Sequence, residues 1–226
     1  MDDETRHGLM EAQRAAVEAR QVTDAWQRIE AWLGQHAPGT LAALRPGARD
    51  AEVTALVQDR IGVRIPPGLR ALWAEHAGVH DVPWASFMLG DRALMDFEAV
   101  VSKYEMMRDL QRRDGDEEHP FWRAAWIPFC SAGAHDTASG LYLDAETGRI
   151  CHWDMYGERT PRYESLTTYL EEMADRLEAP TLVGGDKPGL LDLRALAWGP
   201  PVDAERAALW EPFTGRDMPS RRPGRE

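Results

Sequence analysis

Two histidine-aspartate pairs, His80-Asp81 and His135-Asp136, are the first side chains in this sequence with types suited to catalysis or metal binding. Ser131, His135 and Asp136 hold the residue types of a hydrolytic triad. A triad needs its serine on a strand–turn–helix elbow, and no Gly-x-Ser-x-Gly context surrounds Ser131. Cys130, His135, Cys151 and His152 are zinc-ligand types. Cys151 and His152 are adjacent on an expected strand, so they point to opposite faces and cannot both reach one ion. His76 and His80 are four apart, but Gly78 between them interrupts any helix face. Asp144, Glu146 and Gly148 suggest calcium, yet the segment is too short for an EF-hand loop and reads as a hairpin turn. Val183-Gly-Gly-Asp-Lys187 lacks both the spacing and the strand–helix setting of a phosphate loop. The expectation is a protein with no catalytic residue, no metal and no cofactor.

Composition narrows the class. The chain has 226 residues, with 26 basic and 38 acidic side chains and a formal charge of −12. Within 91–180 there are 10 basic and 19 acidic residues, which places −9 of that charge in one stretch. Phosphate backbones repel such a surface, so direct nucleic-acid binding is disfavoured. A basic protein partner would be drawn in. No apolar run is long enough to cross a bilayer. Met1-Asp-Asp-Glu4 precedes no apolar stretch and is no secretory signal. Only two cysteines occur, Cys130 and Cys151, expected as small buried thiols on neighbouring strands of a cytoplasmic protein.

The elements follow from periodicity. Residues 1–21 are polar with a thin apolar stripe and read as an N-terminal extension. Val22, Ala25, Trp26, Ile29, Trp32 and Leu33 fall on one helical face, ended by Pro38-Gly39. A second helix runs from Asp50 to Ile61 with Gly62 as its stop, and Pro66-Pro67 opens a third that stops by Gly78. Ser86 to Leu89 reads as a strand, and Asp96 caps a helix from Phe97 to about Leu110. Residues 111–120 read as a charged loop. Trp126 to Cys130 is a strand whose Pro128 marks an edge or a bulge. Leu141–Asp144 and Arg149–Trp153, joined by a Gly-containing turn, read as an antiparallel hairpin. Ser165 caps a helix bearing Leu166, Tyr169, Leu170, Met173 and Leu177. From 179 onward periodicity is lost and seven of the 15 prolines gather, so 179–226 is expected as a partly ordered, separable appendage, with Ser220 to Glu226 disordered.

The order of these landmarks carries a resemblance. Trp26-Gln-Arg-Ile-Glu-Ala-Trp-Leu33 and Leu44-Arg-Pro-Gly-Ala48 are followed by Ile65-Pro-Pro-Gly-Leu-Arg-Ala-Leu-Trp73. Downstream come Trp126-Ile-Pro-Phe129, Gly140-Leu-Tyr-Leu-Asp144, Gly148-Arg-Ile-Cys-His-Trp153 and Ser165-Leu-Thr-Thr-Tyr-Leu170. Over 24–178 the chain resembles the SUKH superfamily, in particular the branch similar to the yeast cell-wall assembly regulator. The resemblance implies an α+β domain over 22–178, with a central, mainly antiparallel sheet flanked by helices. It also implies no catalytic activity, and bacterial relatives that are immunity proteins for polymorphic toxins, many of them nucleases. The usual Gly-Asp pair before the Leu-Asp strand is replaced here by Gly133 to Ser139. The basic residues are 24 arginines and two lysines, a bias that favours the bacterial branch.

The expected function is therefore occlusion of a cognate toxin domain, a basic nuclease fitting the charge. The alternative is a regulatory scaffold docking several partners. Acids beside aromatics at a sheet rim suit a protein-binding site, so the expected contacts are Asp81, Trp84, Asp136, Asp154 and Tyr156. Trp26 and Trp126 are expected in the core.

Overall fold

The computed structural model describes residues 3–116, 120–134, 136–157, 159–182 and 184–215. It begins with α1 (Asp3–His36), a single helix that runs through the expected start at Val22. Burial, not helicity, changes there: most side chains before Gln21 are exposed, while Val22, Trp26, Ile29 and Leu33 are fully buried. Pro38 does not end the chain's helicity; it sits at the first turn of α2 (Pro38–Ala43), where a missing N–H costs nothing.

The second expected helix is α3 (Asp50–Val53), a π-helical turn (Thr54–Gln58) and α4 (Asp59–Ile61) in succession. Gly62 closes it at φ 70°, a left-handed position that suits glycine. Next comes α5 (Pro67–Glu75), which lies against α1. It ends before Gly78, because His76 leaves the helix to bond Arg45 O at 2.6 Å and Glu30 at 3.3 Å through its two ring nitrogens.

A six-stranded antiparallel sheet follows in simple order β1-β2-β3-β4-β5-β6. Its strands are β1 (Ser86–Met88), β2 (Arg92–Leu94), β3 (Trp126–Ser131), β4 (Ser139–Asp144), β5 (Ile150–Asp154) and β6 (Arg159–Tyr163). Pro128 lies in an inner strand but at a register shift between 128 and 130, so the bulge half of the expectation holds. Cys130 and Cys151 are on β3 and β5, separated by β4 rather than neighbours. Gly140 is required by space: a Cβ there would meet Cys130 O at 2.1 Å and the Trp153 ring at 2.8 Å.

Two helices back the sheet. Asp96 caps α6 (Phe97–Asp114) by accepting the Ala99 N–H at 2.9 Å, and the helix extends four residues into the expected loop. Ser165 caps α7 (Leu166–Glu178) in the same way through Thr168 N–H at 3.1 Å. Arg28 of α1 bonds both Asp175 and Glu178 of α7. Those two hydrogen-bonded carboxylates hold its guanidinium above the ordinary arginine range.

The chain after 179 forms a second sheet, β8-β7-β9, from β7 (Lys187–Leu191), β8 (Ala195–Gly199) and β9 (Glu211–Pro212), with the short α8 (Ala204–Leu209) between. Leu190, Leu196, Trp198 and Phe213 join the main core. The Trp198 indole donates to Phe87 O at 2.8 Å, and Leu196 N–H donates to the buried Thr40 hydroxyl at 2.8 Å. Phe213 packs edge-on against Trp32 at 5.0 Å. Trp126 is half-buried and stacks on Tyr142; Trp122 occupies the core position instead. The expected disorder of Ser220 to Glu226 lies outside the described residues.

Candidate partner-binding surface

Strand register gathers the candidate residues. Ser131 pairs with Gly140, Gly140 with Trp153, and Trp153 with Arg159. The loop after β3 and the turn after β5 therefore emerge at the same end of the sheet. Asp136 stands in the first and Asp154, Met155 and Tyr156 in the second.

Both aspartates shape the backbone that carries them. Asp136 Oδ1 accepts Ala138 N–H at 3.0 Å, and Asp154 Oδ1 accepts Tyr156 N–H at 2.9 Å. Such Asx turns fix the two residues that follow. The second one presents Met155 and Tyr156 to solvent, 70% and 90% exposed.

The other side of this surface comes from α6. Lys103 lies almost wholly buried under it, donates to Thr137 O at 2.7 Å and sits 4.2 Å over the Trp153 ring. Burial, and secondarily Arg159, pulls its amine down to about 8, while Asp136 opposes the fall. Arg159 donates to Phe121 O at 3.0 Å and Asp154 O at 3.1 Å. A hollow of about 230 Å³ opens between Met106, Phe121, Tyr156 and these two cations. The result is an apolar patch of Met106, Phe121, Met155 and Tyr156 with charges of both signs at its rim and floor.

Asp136, Asp154 and Tyr156 thus belong together. Trp84 is half-buried two residues before Ser86, whose hydroxyl donates to Ala132 O at 3.3 Å beside the 132–138 loop. Asp81 is exposed on a different segment, next to His80, whose N–H donates to Ala43 O at 2.7 Å. Sequence reasoning missed Met106, Phe121 and Met155, and also Lys103 and Arg159. One signal was available: Lys103 is one of two lysines among 26 basic residues.

The other chemical candidates have structural duties. The buried Ser131 hydroxyl donates to Gly133 O at 2.8 Å. His135, which both the triad and the zinc set need, lies outside the described residues. Burial pushes the Cys130 thiol far up, which disfavours the thiolate needed for metal binding or attack. Asp144 Oδ1 accepts Glu146 N–H at 3.0 Å and so makes the hairpin turn. Among the described residues no group of three or more His, Cys, Asp or Glu is placed to hold a metal. Nor is any helix among them long and apolar enough to cross a membrane.

This α+β arrangement agrees with a family match. The model of the SMI1 / KNR4 family (SUKH-1) matches residues 47–172, more than half of the 226-residue chain. The chain belongs to the SUKH-1 family. Among curated proteins none matches it. The matched stretch holds all six strands of the main sheet and most of α7. It leaves out α1, α2 and the second sheet. A SUKH-1 domain is a protein-binding, immunity-type module, and family members are typically non-catalytic.

Proposed function

We propose that this SUKH-1 protein is a bacterial, cytoplasmic immunity protein that binds a cognate polymorphic toxin and covers its active site. The observation that carries the reading is the Met155–Tyr156 turn. Large apolar side chains held outward by a braced turn on a rigid sheet end are what a protein interface buries at its centre. The family membership supplies the kind of partner, and the 24-to-two excess of arginine over lysine supports a bacterial source.

The test is co-expression with the toxin gene encoded beside it. Wild type should restore growth and bind the purified toxin domain. Tyr156→Ala should weaken binding by about 2 kcal/mol, roughly thirtyfold, because aromatic anchors dominate such interfaces. A toxin bound equally by Tyr156→Ala and Met155→Ala would remove this surface from the reading. Binding of several unrelated proteins, with no toxin neutralised, would favour the scaffold alternative.

A further inference from the structure

A second concavity lies away from the Met155–Tyr156 turn, where the sheet curls around α7. Tyr169 of α7 is the centre of the curl: it packs edge-on to Tyr163 of β6 at 4.9 Å and to Phe129 of β3 at 6.3 Å. Its hydroxyl donates to Leu89 O, at the end of β1, at 3.4 Å. The two ends of the strand order therefore approach each other across one helix. A hollow of about 310 Å³ opens between them, lined by Arg92, Arg162, Tyr163, Arg176, Gly185 and Asp186 among others.

Three guanidinium groups converge there. Burial, and then Glu172, raises the Tyr163 phenol, while Arg176, Arg92 and Arg162 all pull it back, so all three reach it electrostatically. Arg176 is held by Glu172 at 2.6 Å and by the Gly184 carbonyl at 2.8 Å. Arg92 is half-buried, and its side chain makes no hydrogen bond or ion pair with any described residue. Its nitrogens are not among the buried partnerless atoms, so solvent reaches the guanidinium and an acceptor from outside the chain can pair with it. Among the described residues, Glu172 and Asp186 are the carboxylates at the site beside Arg92, Arg162 and Arg176, and Arg162 has a further interaction of its own.

We propose that this hollow binds a phosphomonoester dianion, with Arg92 and Arg162 on its terminal oxygens and the Arg176–Glu172 pair fixing the far wall. Planar guanidinium forks match the terminal oxygens of a phosphate in pairs, which single ammonium groups do not. Walls such as Tyr163 suit an organic substituent on the phosphate. Arg176, Gly185 and Asp186 all lie beyond the family match, so the site is a property of this chain with its C-terminal segment in place.

Titration calorimetry of the full chain with phenyl phosphate, inorganic phosphate and dimethyl phosphate tests this. Phenyl phosphate should bind, and Arg92→Gln should weaken it at least tenfold. Arg149→Gln, an exposed arginine paired with Glu164, should leave it unchanged. If Arg92→Gln fails to fold, Arg162→Gln at an exposed position replaces it in the comparison. Binding should weaken about tenfold from pH 7.5 to 5, because the ester takes up its second proton near pH 6 while arginine stays charged. Inorganic phosphate binding as tightly as the ester would keep the site and make the free anion its occupant. Equal affinity for the diester, indifference to both arginine variants, or no binding of either monoester or phosphate would overturn the proposal.

Discussion

Asp136 and Asp154 each hold a backbone N–H two residues ahead, so their charge and their turn-making role are separable by substitution. Asparagine keeps the acceptor and removes the charge. Asp136→Asn with Asp154→Asn is therefore expected to change stability by less than about 0.5 kcal/mol in a urea melt. Asp154→Arg, which removes the acceptor, should cost about 1 kcal/mol, the scale of one lost hydrogen bond. Lys103 gives a second residue-scale test, on pH. Its folded-state amine titrates at about 8, below its ordinary 10.5. Between those values the unfolded chain holds more proton than the folded one, so stability rises with pH across that window. Below about 8 the buried charge opposes folding in full. Thermal melts of wild type and Lys103→Met from pH 7 to 10 should show the difference moving in favour of wild type as pH climbs. A gap constant across that range would mean that Lys103 titrates normally.

The elements divide by how much of each is written locally. Helices with an apolar stripe and a side-chain cap, such as α6 and α7, are legible because burial and capping repeat within one segment. β6 is not, since Arg-Thr-Pro-Arg-Tyr has no alternation and its strand character comes from pairing with β5. β7 and β8 are short and Gly- or Pro-bearing; β8 joins a packed layer by docking on Phe87 and Thr40, and Phe213 beyond β9 docks on Trp32. The candidate surface splits in the same way. Asp154, Met155 and Tyr156 are adjacent in the sequence, whereas Asp136, Lys103 and Phe121 join them only through tertiary structure. Two deletions probe the flanking segments. Residues 5–14 of α1 are exposed and carry little packing, so removing 1–15 should leave stability within about 1 kcal/mol. Trp198→Ala should cost about 3–5 kcal/mol, the range for a large buried aromatic. A chain truncated after Glu178, harmless by its composition alone, should then lose its cooperative melt. A truncated chain that still melts cooperatively would return 179–226 to the status of a separable appendage.

At the scale of the whole molecule, the charge of −12 and the local charge of the candidate surface differ. Around the Met155–Tyr156 turn, Asp136 and Asp154 face Lys103 and Arg159, so these four charges balance among the described residues. In the sequence the excess acid of 91–180 includes the 114–118 run and α7, whereas α6 carries as many bases as acids. Two roles should therefore come apart. The long-range field attracts a basic partner before contact, and it is screened over ~8 Å at physiological ionic strength. The patch decides how long the partner stays, because truncating a buried anchor acts mainly on dissociation. Stopped-flow association with the cognate toxin should slow about tenfold when salt rises from about 50 to about 500 mM. Asp136→Asn with Asp154→Asn should change that rate less than about twofold, since it removes only two of 38 acids and keeps both turns. Tyr156→Ala should leave the association rate nearly intact and raise the dissociation rate by most of its roughly thirtyfold loss in affinity. An association rate indifferent to salt would reduce the acidity of the chain to a matter of solubility. A rate that collapses in the double asparagine variant would instead place the steering charge on the patch itself, with Asp136 and Asp154 as its source.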